Sequence, residues 1–223
     1  MMRRKDACWR TPLALLNGFA LGTFYLLFLR PQMIRWGTRL GESQRRLPGD
    51  DRIASPGLIV TRAINIDAPP EAVWPWLAQM GRERTGWYSF DLLGNNGIPS
   101  ATYLRRDLQP PRPGLALDMG LQVLEVEVNR ELLVGGFDLP GPLGAPLDVT
   151  MLYLLERMSD GSTRLLFRLR IGTHDAVGQL LCWLLEPLEF VMSVQQLKGI
   201  RARAETMAYV RQPAPRELEI PLD

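Results

Sequence analysis

Two cysteines and a single histidine stand in a chain of 223 residues. Protein zinc sites draw on closely spaced Cys and His, and no such spacing occurs here, so the sequence offers no metal centre. Cys8 precedes an apolar run and Cys182 sits in an apolar helical pattern, which leaves a disulfide between them without support. Cys182 reads as a small packed hydrophobe. Neither a serine elbow nor a glycine-rich phosphate loop is present, and "GRERTG" from Gly81 is not a dinucleotide fingerprint. No cofactor is expected.

Net charge is also scarce, at +2. Residues 1–57 hold 10 Lys/Arg and 4 Asp/Glu (+6), which leaves 16 and 20 (−4) for residues 58–223. A nucleic-acid-binding body should carry a basic surface of its own, and this larger, mildly acidic part excludes that class of partner.

What the first fifty residues do contain is a long uncharged run, "TPLALLNGFALGTFYLLFL", from Thr11 to Leu29, bracketed by Arg10 and Arg30. Nineteen helical residues span about 28 Å, close to the roughly 30 Å hydrocarbon core of a bilayer. Flanking arginines can snorkel, and Trp9 and Trp36 stand where interfacial indoles are common. A single-pass transmembrane helix over 11–29 is expected, after a basic N-terminus (1–10). A buried core helix and a cleaved signal peptide are the alternatives, the latter lacking a small-residue cleavage motif. Arg30, Arg35, Arg39, Arg45 and Arg46 slightly outnumber Arg3, Arg4, Lys5 and Arg10. With the unpaired Cys182, that makes a cytoplasmic main domain the expectation. Residues 30–57, polar, basic and broken by Pro48-Gly49 and Pro56-Gly57, read as a juxtamembrane linker.

Residues 58–66 alternate apolar and mixed positions and read as a strand. In "INIDAPPEAVWPWLAQMG" that strand meets Pro69-Pro70; a proline at the first helical position costs no hydrogen bond, and Val73, Leu77 and Met80 then follow at helical spacing. "GWYSFDLLGNNG" (86–97) predicts a second short helix. Strands are expected over 122–129, 131–137, 149–156 and 163–172, with a weaker one at 115–118. On 122–129 the alternation puts Leu124, Val126 and Val128 on one face. Asp160-Gly161 marks a hairpin. From Ala176 to Val210 the chain is helical, with Leu181, Leu184, Leu188, Val191, Leu197 and Ile200 as its apolar stripe and Pro187 inside it. Residues 211–223 read as an extended, mobile tail. The fold class is therefore α+β: a curved antiparallel sheet covered by one long C-terminal helix, with two short helices after the first strand.

"TRAINIDAPPEAVWPWLAQMG" with "GWYSFD", "TRLLFRLRI" and "LLEPLEFVMSVQQLKGIRARAE" resembles the SRPBCC superfamily, the START-like helix-grip proteins that include polyketide cyclase/dehydrase and lipid-transport domains. The resemblance covers residues 58–210. It implies a hollow between sheet and long helix that accepts an apolar small molecule, and it implies no single activity, because the fold hosts binders, carriers and a few enzymes. Where relatives carry a tryptophan- or acid-rich stretch, this chain reads "LLGNNGIPSATYLRRDLQPPRPG", so no ligand identity carries over.

Within that frame Trp87, Tyr88 and Asp91 are candidates for a cavity rim, with simple packing of the short helix as the alternative. Leu124, Val126, Tyr153, Phe167 and Phe190 are candidate lining residues, with core packing as the alternative. Acid/base chemistry would fall to Tyr88, Asp91 or His174; Thr173 or Asp175 beside His174 equally suggests a helix cap there. Arg168 and Arg170 share one strand face opposite Phe167, Leu169 and Ile171, and are expected to point outward into solvent. The leading expectation is a membrane-tethered, non-enzymatic binder of a lipid, isoprenoid or polyketide-like molecule. A cyclase or dehydratase and a structural or interaction domain with a filled interior are the alternatives.

Overall fold

The computed structural model describes residues 10–82, 84–118 and 120–211. Most of the expected basic N-terminus, with Cys8, and residues 212–223 of the expected tail lie outside this range.

An apolar helical segment comes first: α1 (Arg10–Phe24) runs through a π-helical turn (Tyr25–Leu29) into α2 (Arg30–Ile34). Phe19, Leu21, Phe24, Leu26, Leu27 and Phe28 are all exposed, and their spacing spreads them around the whole helix. β1 (Leu58–Ile66) follows, then α3 (Pro70–Ala78) with Pro69 extended at its cap and Pro70 in its first turn. α3 is buried almost throughout, Trp74 and Trp76 included. Each indole removes roughly 150–250 Å² from water, worth on the order of 4–6 kcal/mol. The double proline thus ends the strand and aims two large apolar side chains at the core.

The second short helix shrinks to one turn, α4 (Asp91–Gly94). Tyr88, at φ 58°, is locked in the left-handed region just before it, and Phe90 is extended, so the preceding residues cannot join the turn. β2 (Ala116–Asp118), β3 (Leu121–Glu127), β4 (Glu131–Pro140), β5 (Pro146–Arg157) and β6 (Thr163–Thr173) complete one antiparallel sheet in the order β1-β6-β5-β4-β3-β2. The last element, α5 (Ala176–Arg211), crosses its inner face.

The inner face holds Leu58, Val60, Ile64 and Ile66 of β1, Tyr153 and Leu155 of β5, and Leu165, Phe167 and Leu169 of β6, packed with α3 and with Leu197, Ile200 and Ala204 of α5. One register change matters. Val123 pairs with Val134 and Glu125 with Leu133, so Leu124 is an extra residue in β3. This bulge turns Leu124 to the outer face, beside Leu133, Leu152, Leu154 and Leu166, while Val126 returns to the inner side.

The outer face is not open to water. Residues 35–57, expected to be a solvated linker, pack on it as a strap. Leu47 enters the outer apolar cluster. Trp36 accepts a hydrogen bond from the amide of Ala63 (3.0 Å), covering part of the β1 edge. Arg168 does point outward, yet it is buried. Its guanidinium donates to Thr61 Oγ1 (3.1 Å), Asp50 Oδ2 (2.6 Å) and the carbonyls of Arg45 (3.0 Å), Ser43 (3.0 Å) and Glu42 (3.4 Å). Five donors meet five acceptors, which is why a charge is tolerated there. Arg170 adds Asp50 Oδ1 (3.3 Å) and the Ile53 carbonyl (2.8 Å), and Arg164 grips Glu42 at 3.0 and 2.6 Å. The expectation of solvent exposure fails because the strap supplies the acceptors.

Asp50→Ala should therefore cost about 3 kcal/mol or more of unfolding free energy in chemical denaturation, by stranding two buried guanidiniums. Arg45→Ala, which removes only the exposed ion pair with Glu156, should cost less than about 1 kcal/mol.

Candidate functional site

Between the inner face of the sheet and α5 lies a cavity of about 390 Å³. The alternation of β6 sends Phe167, Leu169 and Ile171 into it, opposite the outward arginines, and Met151 joins them from β5. α5 contributes Glu189, Met192, Ser193 and Gln196. Trp87 and Ser89 close one side, and Leu93 and Gly94 of α4 stand at the mouth. The Ser89 hydroxyl donates to the Met192 carbonyl at 2.6 Å, which pins the α4 loop to the helix.

The walls are mostly apolar, with polar groups at two places. Asp118 faces the Nε of Arg82 at 3.0 Å and accepts from the Trp87 indole at 3.4 Å. On the helix side Gln196 accepts from the Tyr153 hydroxyl at 2.9 Å. Tyr153 itself is fully buried under α5 and edges against Phe167, ring centroids 5.1 Å apart. Burial pushes its hydroxyl far above the ordinary phenol range, so it stays a neutral donor. An apolar guest with one hydrogen-bonding head matches this distribution.

One wall of the cavity is set by Arg62, the inward-facing arginine of β1. It is wholly buried. Its guanidinium forms a bidentate pair with Glu189 (2.7 and 2.9 Å), donates to the Met33 carbonyl at 2.9 Å and also contacts Ser193. The ring of Phe190 stacks on it at 5.1 Å. Phe190 therefore packs behind the cavity wall rather than in the cavity. A turn earlier, Glu186 accepts from Arg30 Nε at 3.0 Å with its own side chain fully buried. Burial raises its carboxyl above the ordinary value, against the opposing pull of Arg30.

The sequence candidates divide between the cavity and other parts of the fold. Trp87 and Phe167 line the cavity. Leu124 is on the outer face, and Val126 packs on the edge of the inner core. Tyr88 is buried: its hydroxyl bonds Gln79 Nε2 and Thr85 Oγ1, both at 2.9 Å, and Arg203 stacks on its ring at 4.5 Å. Burial raises its pKa as well. α5 passes so close here that a Cβ on Gly199 would meet the Tyr88 carbonyl at 2.1 Å. Asp91 accepts from Ser100 N (3.0 Å) and Ser100 Oγ (2.5 Å), and that same hydroxyl accepts from the Tyr88 amide at 3.2 Å. Tyr88 and Asp91 are thus brought together, around a loop-holding serine. His174 lies apart at the end of β6, with Asp148 at 3.2 Å and Asp138 at 3.9 Å.

These three last residues place ligand atoms within 4.8 Å of one another, the one such grouping of potential metal donors among the described residues. They come from three separate strand ends, so sequence spacing could not bring them to notice. The pairs Arg62–Glu189 and Arg82–Asp118 escaped for the same reason. The alternation of β6, by contrast, already assigned Phe167, Leu169 and Ile171 to the face opposite Arg168 and Arg170.

No protein-family model matches the chain, and no curated protein sequence matches it. Among solved structures, similar ones include a structural-genomics protein from Nitrosomonas europaea, 16% identical, covering 69% of this chain and 97% of that one with a TM-score of 0.45. Another, from Nitrosospira multiformis, is 12% identical, with 68% and 99% covered and a TM-score of 0.43. DynU16, a protein in the dynemicin biosynthetic locus, is 15% identical over 63% of this chain and 46% of its own length, with a TM-score of 0.39.

Glu189→Ala should destabilise the domain by about 3–5 kcal/mol, because it leaves Arg62 buried and unpaired; thermal or urea unfolding reads this directly. Glu186→Gln tests the raised carboxyl. A carboxyl raised on folding stabilises fully below its unfolded value, near about 4.3, and that contribution is lost as pH rises through the folded value. The wild type should accordingly lose stability relative to Glu186→Gln as pH climbs through that window, measured as the difference in Tm across pH.

Proposed function

We propose that this chain is a membrane-tethered, START-like binding domain that holds an apolar small molecule between its sheet and α5. The cavity carries the reading. Its volume of about 390 Å³ falls within the range of small-molecule sites, its floor is aromatic and aliphatic, and its few polar groups sit at the edges. A lipid, isoprenoid or polyketide-like molecule has the matching chemistry. The tether is α1 with the π turn after it: a helix exposing large apolar side chains on every side calls for hydrocarbon around it. α5 is also long and apolar enough to span a bilayer by length and composition. Its second half is committed to the sheet and α3, so the spanning role falls to residues 11–29. On this reading the main domain is cytoplasmic, following the slight excess of arginines after the apolar run.

Acid/base catalysis finds less support. Tyr88 and Asp91 are engaged with Gln79, Thr85 and Ser100, and His174 stands with its two aspartates at a sheet end.

Met192→Trp should fill the cavity mouth without disturbing the core, since Met192 is only half buried. Native mass spectrometry of the wild type released from membranes should show a bound apolar molecule, and the variant should lose at least about tenfold in occupancy while the ligand-stripped forms of the two proteins share one Tm. Equal occupancy in both proteins would place the guest elsewhere, and an empty wild type would remove the binder reading.

A further inference from the structure

Resting on the tether reading above, we propose that the first half of α5, residues 177–191, lies in the interfacial layer of the same bilayer, so that the cavity mouth opens at the lipid surface. The partner is the lipid interface itself.

Four turns of this helix present no free charge to solvent. Residues 176–191 contain two charged side chains, Glu186 and Glu189, and both turn inward, to Arg30 and Arg62. The surface that remains is apolar. Val177, Leu180, Trp183, Leu184, Leu188 and Val191 recur at helical spacing and are exposed, Trp183 by 54% and Leu184 by 66%. Leu184, Leu188 and Val191 belong to the apolar stripe read from the sequence, and they face away from the sheet. The buried side of this half is a narrow line, Gly178, Cys182 and Glu186. Beyond Ser193 the pattern changes: Leu197, Ile200 and Ala204 are buried, and Lys198 and Arg201 face solvent. The exposed apolar face is confined to the half that touches the tether.

Its depth follows from one contact. Arg30 is the first charged residue after the apolar run, so its guanidinium marks the level where hydrocarbon gives way to headgroups. Arg30 bonds Glu186. The turns of α5 on either side of Glu186 therefore lie at that level, with the Trp183 indole where interfacial tryptophans gather. Six residues further, about 9 Å along the helix, Met192 lines the cavity beside Leu93 and Gly94. Leu92 and Leu93 of α4 are exposed there, continuing the apolar surface to the mouth. An amphipathic helix with its apolar face about 5–10 Å into the headgroup boundary has this arrangement.

The test uses the full chain reconstituted into phosphatidylcholine vesicles with brominated acyl chains. The emission of Trp183 is taken as the difference between wild type and Trp183→Phe. The proposal expects that component to be quenched by about half or more, because bromines sit within reach of an interfacial indole. It expects the Leu184→Glu/Leu188→Glu variant to lose the quenching. Trp183 emission untouched by the brominated chains but quenched by acrylamide from the water overturns the proposal. So does a Trp183 shielded from both, with two copies cross-linked through a cysteine placed at the exposed Leu184 position. An alkaline wash reports separately on the tether: a chain that stays in the vesicles spans them, whatever Trp183 shows. A chain that washes out fails the spanning reading, and the quenching recorded before the wash still decides the docking claim.

Discussion

The Arg62 guanidinium is where the three parts of this molecule meet. It projects from the first strand of the sheet, holds α5 through Glu189 and Ser193, and caps the end of the apolar N-terminal helix through the Met33 carbonyl. A buried, unpaired arginine is far too costly to persist, so the strand, the gripping helix and the N-terminal helical segment must close around it together. That one requirement fixes α5 at an angle and distance that leave a cavity beside it. It also fixes the cavity close to the point where the chain leaves its apolar helix.

The two faces of the sheet solve their burial problems differently. The outer face is covered by the strap of residues 35–57, whose carboxylates and carbonyls pair with Arg164 and Arg168 and with the two terminal nitrogens of Arg170. The inner face is sealed only in part. α3 and the second half of α5 pack against one end, where Tyr88 and Gly199 touch and a separate groove of about 580 Å³ runs between Trp76, Tyr103 and Met207, and the other end opens toward Leu93 and Met192.

Local patterns made most of this architecture legible. β1 spans residues 58–66 as its alternation predicts, the double proline starts α3, and Asp160-Gly161 turns the β5–β6 hairpin. What local patterns missed were effects of partners distant in sequence. The bulge that turns Leu124 outward is a property of its pairing with β4, not of β3 alone. The burial of Arg168 depends on Asp50, 118 residues away. The stripe on α5 splits, Leu197 and Ile200 buried and Leu184, Leu188 and Val191 exposed, because apolar periodicity reports a preference for an apolar neighbour without saying whether this chain supplies it. Phe167 lines the cavity through the clean β6 alternation, and Trp87 lines it from the loop before α4, the helix expected to carry it starting only at Asp91. Gln196, Asp118 and Arg82 carried no such local mark.

The central claim is that the space between Phe167, Met151 and Met192 takes an apolar guest. Crystals grown with a bromine-labelled fatty acid would test it most directly, through the anomalous signal of the halogen. The account predicts a bromine peak between β5, β6 and α5. A peak confined to the separate groove by Trp76 and Met207, or none in a well-ordered crystal, would contradict it.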